Sequence, residues 1–152
     1  MKVTIFILGL LSAVLMLGVN SIVFVISFFA SLLGLAFQSS PSADQDVISG
    51  FYGAFGLSTM IEIIAIAVLI LCIIGFVKGR RGSTKAYTII YGITCGLLFI
   101  GNLAAFPLAI WCNDLGSGAE SMYAWPAAGL ALAVIMLILT IVNASVHRNK
   151  AV

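Results

Sequence analysis

The chain has 152 residues, of which 62% are hydrophobic and only 8% are charged. Globular proteins usually carry about 25% charged residues, so this composition excludes a water-soluble domain and leaves lipid as the solvent for most of the surface. The formal net charge is +2, and the basic residues do not form a stripe with aromatic residues between them. Nucleic-acid binding is therefore not indicated.

The first apolar run extends from residue 3 to residue 37. As one helix it would be about 52 Å long, which exceeds a hydrocarbon core of about 30 Å. We therefore expect it to tilt, to project past the outer boundary, or to bend near Gly18, Asn20 and Ser21. A secretory signal peptide is the competing interpretation of residues 1–20. The apolar sequence continues without a convincing small-residue cleavage site, which favours an uncleaved first span.

Three further apolar runs predict three further spans, at residues 51–77, 86–111 and 123–146. The connections between the four runs are short, at residues 38–50, 78–85 and 112–122. Pro107 lies near the end of the third run, where its ring removes one backbone donor and predicts a kink. The whole chain is thus expected to form a single transmembrane domain.

The charges sort by sign between these connections. The basic residues are at the chain ends or in 78–85, namely Lys2, Lys78, Arg80, Arg81, Lys85, Arg148 and Lys150. The other two connections carry only acidic charges, Asp44, Asp46, Asp114 and Glu120. Because Lys and Arg beside a span resist translocation, both termini are predicted to be cytoplasmic. Short connections favour antiparallel neighbours, so we expect an all-α integral membrane protein with an up-down-up-down four-helix bundle, in the plasma membrane.

Glu62 is the only ionisable residue inside a predicted span. Because a charge facing lipid at mid-span costs at least ~3 kcal/mol, Glu62 is expected to face protein or water. Ser58 and Thr59 lie on its helical stripe. Asn102 in the third span falls within about 3 Å of the same depth. We therefore predict that Glu62 and Asn102 approach each other directly or through water.

Two GxxxG patterns predict sites of close helix packing. Gly92 and Gly96 form one in the third span, and Gly75 and Gly79 form another at the inner end of the second. Such notches let two helix backbones approach when lipid provides no hydrophobic drive for association. The sequence leaves open whether the approaching helix belongs to this chain or to another subunit.

Enzymatic chemistry has no support in the sequence. There is no nucleophile with an adjacent base, no phosphate-binding loop and no metal-ligand cluster, so no catalytic residue, metal or cofactor is predicted. The chain has three cysteines, Cys72, Cys95 and Cys112, and no two of them form a CxxC pair. An odd number without this spacing indicates neither a zinc site nor a dithiol redox motif.

Three functions remain. The leading hypothesis is an accessory or assembly subunit that acts through helix-helix contacts and binds lipid together with other membrane subunits or itself. In that case Glu62 is a protonated carboxyl whose hydrogen bond holds helices together by about 0.6 to 2 kcal/mol. The alternative is a small transporter or channel with a proton or cation relay at Glu62. The third is an immunity or sensing protein that occludes another membrane protein.

Overall fold

Four long helices make up the computed structural model, which describes residues 2–37, 45–82, 84–114 and 123–149. Each helix contains a segment long and apolar enough to cross a membrane, and no strand occurs within these ranges. The expected all-helical fold with four potential spans is confirmed. The helices are α1 (Lys2–Phe37), α2 (Gln45–Arg80), α3 (Thr84–Cys112) and α4 (Ala124–Asn149).

The first two helices are longer than a membrane span requires. Each has 36 residues, which corresponds to about 54 Å. Helix α2 begins at Gln45, so the second half of the expected loop 38–50 is helical. Asp46 lies in the first turn of α2 and Lys78 and Arg80 lie in the last. Charges in these positions oppose the partial charges of the helix ends and favour the extended helix.

Neither α1 nor α3 is interrupted where the sequence suggested a weak point. Helix α1 continues through Gly18, Asn20 and Ser21, and α3 continues through Pro107. The nitrogen of Pro107 has no hydrogen to donate to the carbonyl oxygen of Leu103. Both residues lie on the exposed outer face of α3. The missing hydrogen bond is therefore on the surface of the bundle and leaves the packed face intact.

A glycine turn ends α2 and reverses the chain into α3. The Arg81 amide donates to the carbonyl oxygen of Val77 at 3.2 Å, and the Gly82 amide donates to that of Gly79 at 3.4 Å. Gly82 has a φ of 84°, in the left-handed region that costs a glycine little because it has no Cβ. The chain can then re-enter a helix at Thr84 after a single tight turn.

The helices pack as a four-sided bundle in which consecutive helices are antiparallel. Sequence neighbours make the most extensive contacts, α1 also packs against α4, and the diagonal pair α1 and α3 barely touches. Lys2 at the start of α1 contacts Gly79 at the end of α2. At the opposite end of the bundle, Phe51 near the start of α2 packs edge-on against Trp111 near the end of α3.

Apolar side chains from all four helices fill the interior. The large fully buried ones include Ile5, Met16, Ile61, Leu98 and Met136. The outer faces carry many exposed Ile, Leu, Val and Phe side chains, as expected for surfaces that lie against lipid tails. Buried Ser and Thr hydroxyls mostly donate to a carbonyl oxygen of the preceding turn, which satisfies them without a partner helix.

Candidate functional site

Glu62 lies on the flank of α2, at its seam with α1, rather than in the centre of the bundle. Its side chain is partly exposed, and its Oε1 accepts a hydrogen bond from the Ser21 hydroxyl of α1 at 2.9 Å. Ser21 is itself exposed on the outer face of α1. The carboxyl therefore joins two neighbouring helices at the surface of the bundle, about midway along α2.

Aromatic rings border this polar pair on the same seam. Phe24 and Phe55 lie with ring centroids 5.4 Å apart, and Phe28 lies 5.7 Å from Phe55. Phe24 and Phe28 follow Ser21 by three and seven residues, so the three side chains share one side of α1. We call Ser21, Phe24, Phe28, Phe55 and Glu62 the seam surface. It combines one ionisable group with an apolar aromatic surround.

Ser58 lies one turn from Glu62 but faces the interior. Ser58 and Asn20 of α1 are both completely buried. The Asn20 Nδ2 donates to the Ser58 carbonyl oxygen at 2.9 Å, and the Ser58 hydroxyl donates to Asn20 Oδ1 at 3.2 Å. This reciprocal contact is the main buried polar link between α1 and α2, and it sets their register. Thr59, the other polar residue of the predicted stripe, donates to the carbonyl oxygen of Phe55 in its own helix at 2.7 Å.

Asn102 lies at a different interface from Glu62. It is 1% exposed, and its Nδ2 donates to the carbonyl oxygen of Leu98 one turn earlier at 2.7 Å. Its amide lies directly against Gly129 of α4 and occupies the space that a Cβ would need there. Among the described residues, Asn102 Oδ1 has no hydrogen-bond partner. The described contacts of Glu62 and Asn102 thus lie at different helix interfaces. The approach of Glu62 to Asn102, directly or through water, stays a prediction.

Tyrosines from α3 fill the space beside the two glycines at the basic end of α2. A Cβ on Gly75 would come within 2.6 Å of a ring carbon of Tyr91, and a Cβ on Gly79 would come equally close to Tyr87. The Tyr91 hydroxyl, which is also buried, donates to the carbonyl oxygen of Cys72 at 3.0 Å. These two glycines therefore let α2 and α3 approach within one chain.

Gly92 and Gly96 have the opposite environment. Both are exposed on the outer face of α3, and nothing lies within 4 Å of a Cβ built on either. Exposed Ile89, Ile93 and Ile100 lie on the same side of the helix. The four-residue spacing thus forms an open notch flanked by branched side chains. We call these five residues the α3 notch.

Sequence reasoning missed several residues of this arrangement. The sequence predicts a weak point of a long helix at Asn20 and Ser21, and it does not identify their partners in α2, which are Ser58 and Glu62. Gly129 carries no sequence pattern that identifies it as the partner of Asn102. An available signal was the depth of Asn20, Ser21, Ser58 and Glu62, because an antiparallel hairpin with short ends brings all four to the same level.

The described residues contain no group of three or more His, Cys, Asp or Glu side chains that could hold a metal ion. Comparison with protein-family models, with curated proteins and with solved structures found no match. The seam surface and the α3 notch, which both face outward, are therefore the candidate functional surfaces.

Proposed function

We propose that this small membrane protein is an assembly subunit that binds a membrane-spanning helix of another subunit through its outer faces. The observation that best supports this proposal is the Ser21–Glu62 pair. Its hydroxyl and carboxyl lie in mid-helix at the surface of an otherwise apolar bundle. An ionisable side chain facing lipid at the bilayer centre costs at least ~3 kcal/mol. A second helix that covers the seam surface would remove this cost by replacing lipid with a hydrogen-bond donor or a cation.

The aromatic surround of the seam supports the same function. Binding energy at protein interfaces is concentrated in a few central groups surrounded by contacts that exclude solvent. In the seam surface, Phe24, Phe28 and Phe55 provide the apolar border, and Glu62 provides the polar centre. A complementary helix would present a small or apolar face with one Ser, Thr, Asn, Lys or Arg at the depth of Glu62.

The α3 notch offers a second surface for helix contact. In membranes, small residues four positions apart let two helices pack backbone to backbone, and Gly92 and Gly96 retain that open space. The corresponding space beside Gly75 is filled by Tyr91, and that beside Gly79 is filled by Tyr87. The contrast within one molecule supports an intermolecular use of Gly92 and Gly96, either with a second copy or with another subunit.

The distribution of charge supports a proposed orientation of the bundle in the membrane. Lys2, Lys78, Arg80 and Arg81 gather at one end of the bundle, whereas Asp46 and Asp114 lie at the other. The preference of basic flanks for the cytoplasmic side supports cytoplasmic termini. The four helices that are apolar enough to span a membrane support residence in a membrane, for which we propose the plasma membrane. Tags at the two termini should then both be protected from a protease added outside intact cells.

Recovery of the complex from native membranes tests the assembly proposal. Tagged protein is purified in mild detergent, and the mass and stoichiometry of the particle are measured for the native chain, Glu62→Leu and Gly92→Leu/Gly96→Leu. The matched control is Gly53→Leu, because Gly53 is another exposed glycine with nothing within 4 Å of a Cβ. We expect a larger stoichiometric particle that is lost in at least one test variant and kept in the control. A native chain that is strictly monomeric under gentle conditions would refute the proposal.

The alternative function, a proton or cation relay at Glu62, needs a series of polar groups leading from the carboxyl toward either face. Among the described residues, the hydrogen bond of Glu62 goes to Ser21, and Asn102 belongs to another interface. This arrangement favours assembly over transport. Proton flux is compared in liposomes that contain the native protein or Glu62→Gln. We expect equal flux, and a flux that disappears in the variant would favour the relay.

A further inference from the structure

Lys2 is held in a fixed position where three helices meet at the basic end of the bundle. Its Nζ donates to the carbonyl oxygen of Gly79 in α2 at 3.1 Å and lies 5.6 Å from the ring centroid of Tyr87 in α3. The Tyr87 hydroxyl also donates to the backbone carbonyl oxygen of Lys2, at 3.4 Å. An ammonium group has three donors, so the bond to Gly79 leaves two for another acceptor.

Arg80 provides a second positioned cation next to Lys2. Its guanidinium carbon lies 5.9 Å from the ring centroid of Phe76 one turn earlier in α2, within the range of a cation–π contact. Phe76 is in turn stacked on Phe6 of α1 with ring centroids 4.4 Å apart. The aromatic pair closes the seam between α1 and α2 at this end and supports the arginine side chain above it.

A cavity of about 420 Å³ lies between the two cations. It is open on one side and lined by Lys2, Val3, Phe76, Gly79 and Arg80. The lining therefore contains two positive charges and no acidic residue, while its floor is apolar. Lys78, Arg81 and Lys85 add exposed positive charge at the same end of the bundle. The described carboxylates are elsewhere: Asp46 and Asp114 lie at the opposite end, and Glu62 lies midway.

We propose that this cavity binds the phosphodiester of an anionic phospholipid headgroup in the adjacent leaflet. A guanidinium can bind two phosphate oxygens at once, and an ammonium binds a third as a point charge. Basic pockets between membrane helices are suited to anionic headgroups for this reason. The apolar floor favours a lipid over free phosphate, because exposed Val3 and the Phe76 ring continue the surface along which an acyl chain would lie. The site lies at the inner end of the bundle and uses neither the seam surface nor the α3 notch.

The proposal is tested on the full-length protein, delipidated in mild detergent, by native mass spectrometry with added phosphatidylglycerol or phosphatidylcholine. The test variant is Lys2→Gln/Arg80→Gln. The matched control is Arg81→Gln/Lys85→Gln, which removes the same charge from exposed positions outside the cavity. In detergent there is no charged membrane surface, so the loss reports mainly the cations that contact the headgroup directly, each of which contributes at least about fivefold to binding of an anionic lipid. Circular dichroism and the elution profile report whether each variant is folded.

We expect the native protein to retain phosphatidylglycerol in preference to phosphatidylcholine. The cavity variant should bind phosphatidylglycerol roughly 25-fold more weakly, and the control should change by less than about fivefold because its charges act only at a distance. Equal losses in the two variants would overturn the site, since general surface charge would then explain the binding. If the double variant does not fold, phosphatidylglycerol binding is compared between Arg80→Gln and Arg81→Gln, and equal losses in these two single variants would likewise overturn the site. Inorganic phosphate that competes as well as the lipid does would overturn the assignment to a lipid headgroup.

Discussion

Asn20 of α1 and Ser58 of α2 exchange two hydrogen bonds inside the bundle, at 2.9 Å and 3.2 Å. Both side chains are fully buried, and the atoms involved are an amide, a hydroxyl and a backbone carbonyl. In the apolar interior, any register of α1 against α2 that separates these groups leaves several of them without a partner. The pair therefore selects one alignment of two long apolar helices whose remaining contacts could slide past each other.

Replacing Asn20 or Ser58 should weaken the α1–α2 interface. We expect Asn20→Ala and Ser58→Ala each to lower the free energy of unfolding by roughly 1–2 kcal/mol, since both leave a buried polar atom unpaired. Their effects should not add, and the coupling energy should be about 1 kcal/mol. Steric-trap unfolding in detergent gives these values. Ser145→Ala is the control, because exposed Ser145 donates only to Val142 in its own helix. Strict additivity of the two changes would contradict the reciprocal contact.

The two GxxxG patterns should respond oppositely to alanine. Gly75→Ala places a methyl group against the Tyr91 ring, and the resulting overpacking should cost about 1–3 kcal/mol of unfolding free energy. Gly92→Ala meets open space, and the gain in helix propensity should leave the isolated chain unchanged or stabilise it by up to about 1 kcal/mol. The free energy of unfolding of the monomer is measured for both variants. Equal destabilisation would mean that Gly92 also packs within the chain.

Asn102 and Gly129 should show compensating mutations. Gly129→Ala forces a methyl group into the space of the Asn102 amide, so we expect a loss of about 1–3 kcal/mol of unfolding free energy. Asn102→Ala alone should have a smaller effect, because the side chain bonds only to its own helix and its Oδ1 is already unpartnered among the described residues. The double variant Asn102→Ala/Gly129→Ala should regain most of the stability. A double variant as unstable as Gly129→Ala would show that the clash is not the cause.

Thiol labelling should separate the three cysteines by burial. Cys72 and Cys95 are buried in the core, whereas Cys112 at the end of α3 is only partly buried. We expect a maleimide to modify Cys112 in the folded protein and to reach Cys72 and Cys95 only after unfolding. Mass spectrometry of the labelled protein counts the modified thiols, and Cys112→Ser is the control. With the proposed orientation, a membrane-impermeant reagent added outside intact cells should also label Cys112. Rapid labelling of Cys72 in the native state would contradict the packing at Gly9, where a Cβ would lie 2.6 Å from the Cys72 sulfur.

Residue spacing and charge along the chain are enough to indicate some individual residues. Gly75 and Gly79 were identified by their spacing, and both lie where a neighbouring helix approaches closely. Lys78 and Arg80 marked the end of the second helix. The same spacing rule could not distinguish Gly92 and Gly96 from Gly75 and Gly79, because a GxxxG pattern indicates an available notch and does not specify which helix, if any, fills it.

The pairing of Glu62 shows why the candidate site could not be derived in the same way. Helical rise places Asn102 at about the same depth as Glu62 and so predicts that the two side chains approach each other. Depth leaves the rotation of each helix about its own axis undetermined. In the bundle, α2 turns Glu62 toward Ser21 of α1, while α3 turns Asn102 toward Gly129 of α4.

The order of residues along the chain is enough to predict four apolar helices with a basic and an acidic end. Hydropathy and charge along a chain depend only on which residues follow one another, and they can be read without knowing any contact. Which side of each helix faces inward becomes visible only in the packed bundle, where Glu62 lies on an outer seam, Asn102 faces α4 and two glycines remain open. Those choices depend on side-chain shape and hydrogen bonding between segments far apart in sequence, because helices that are apolar all round carry no stripe to orient them.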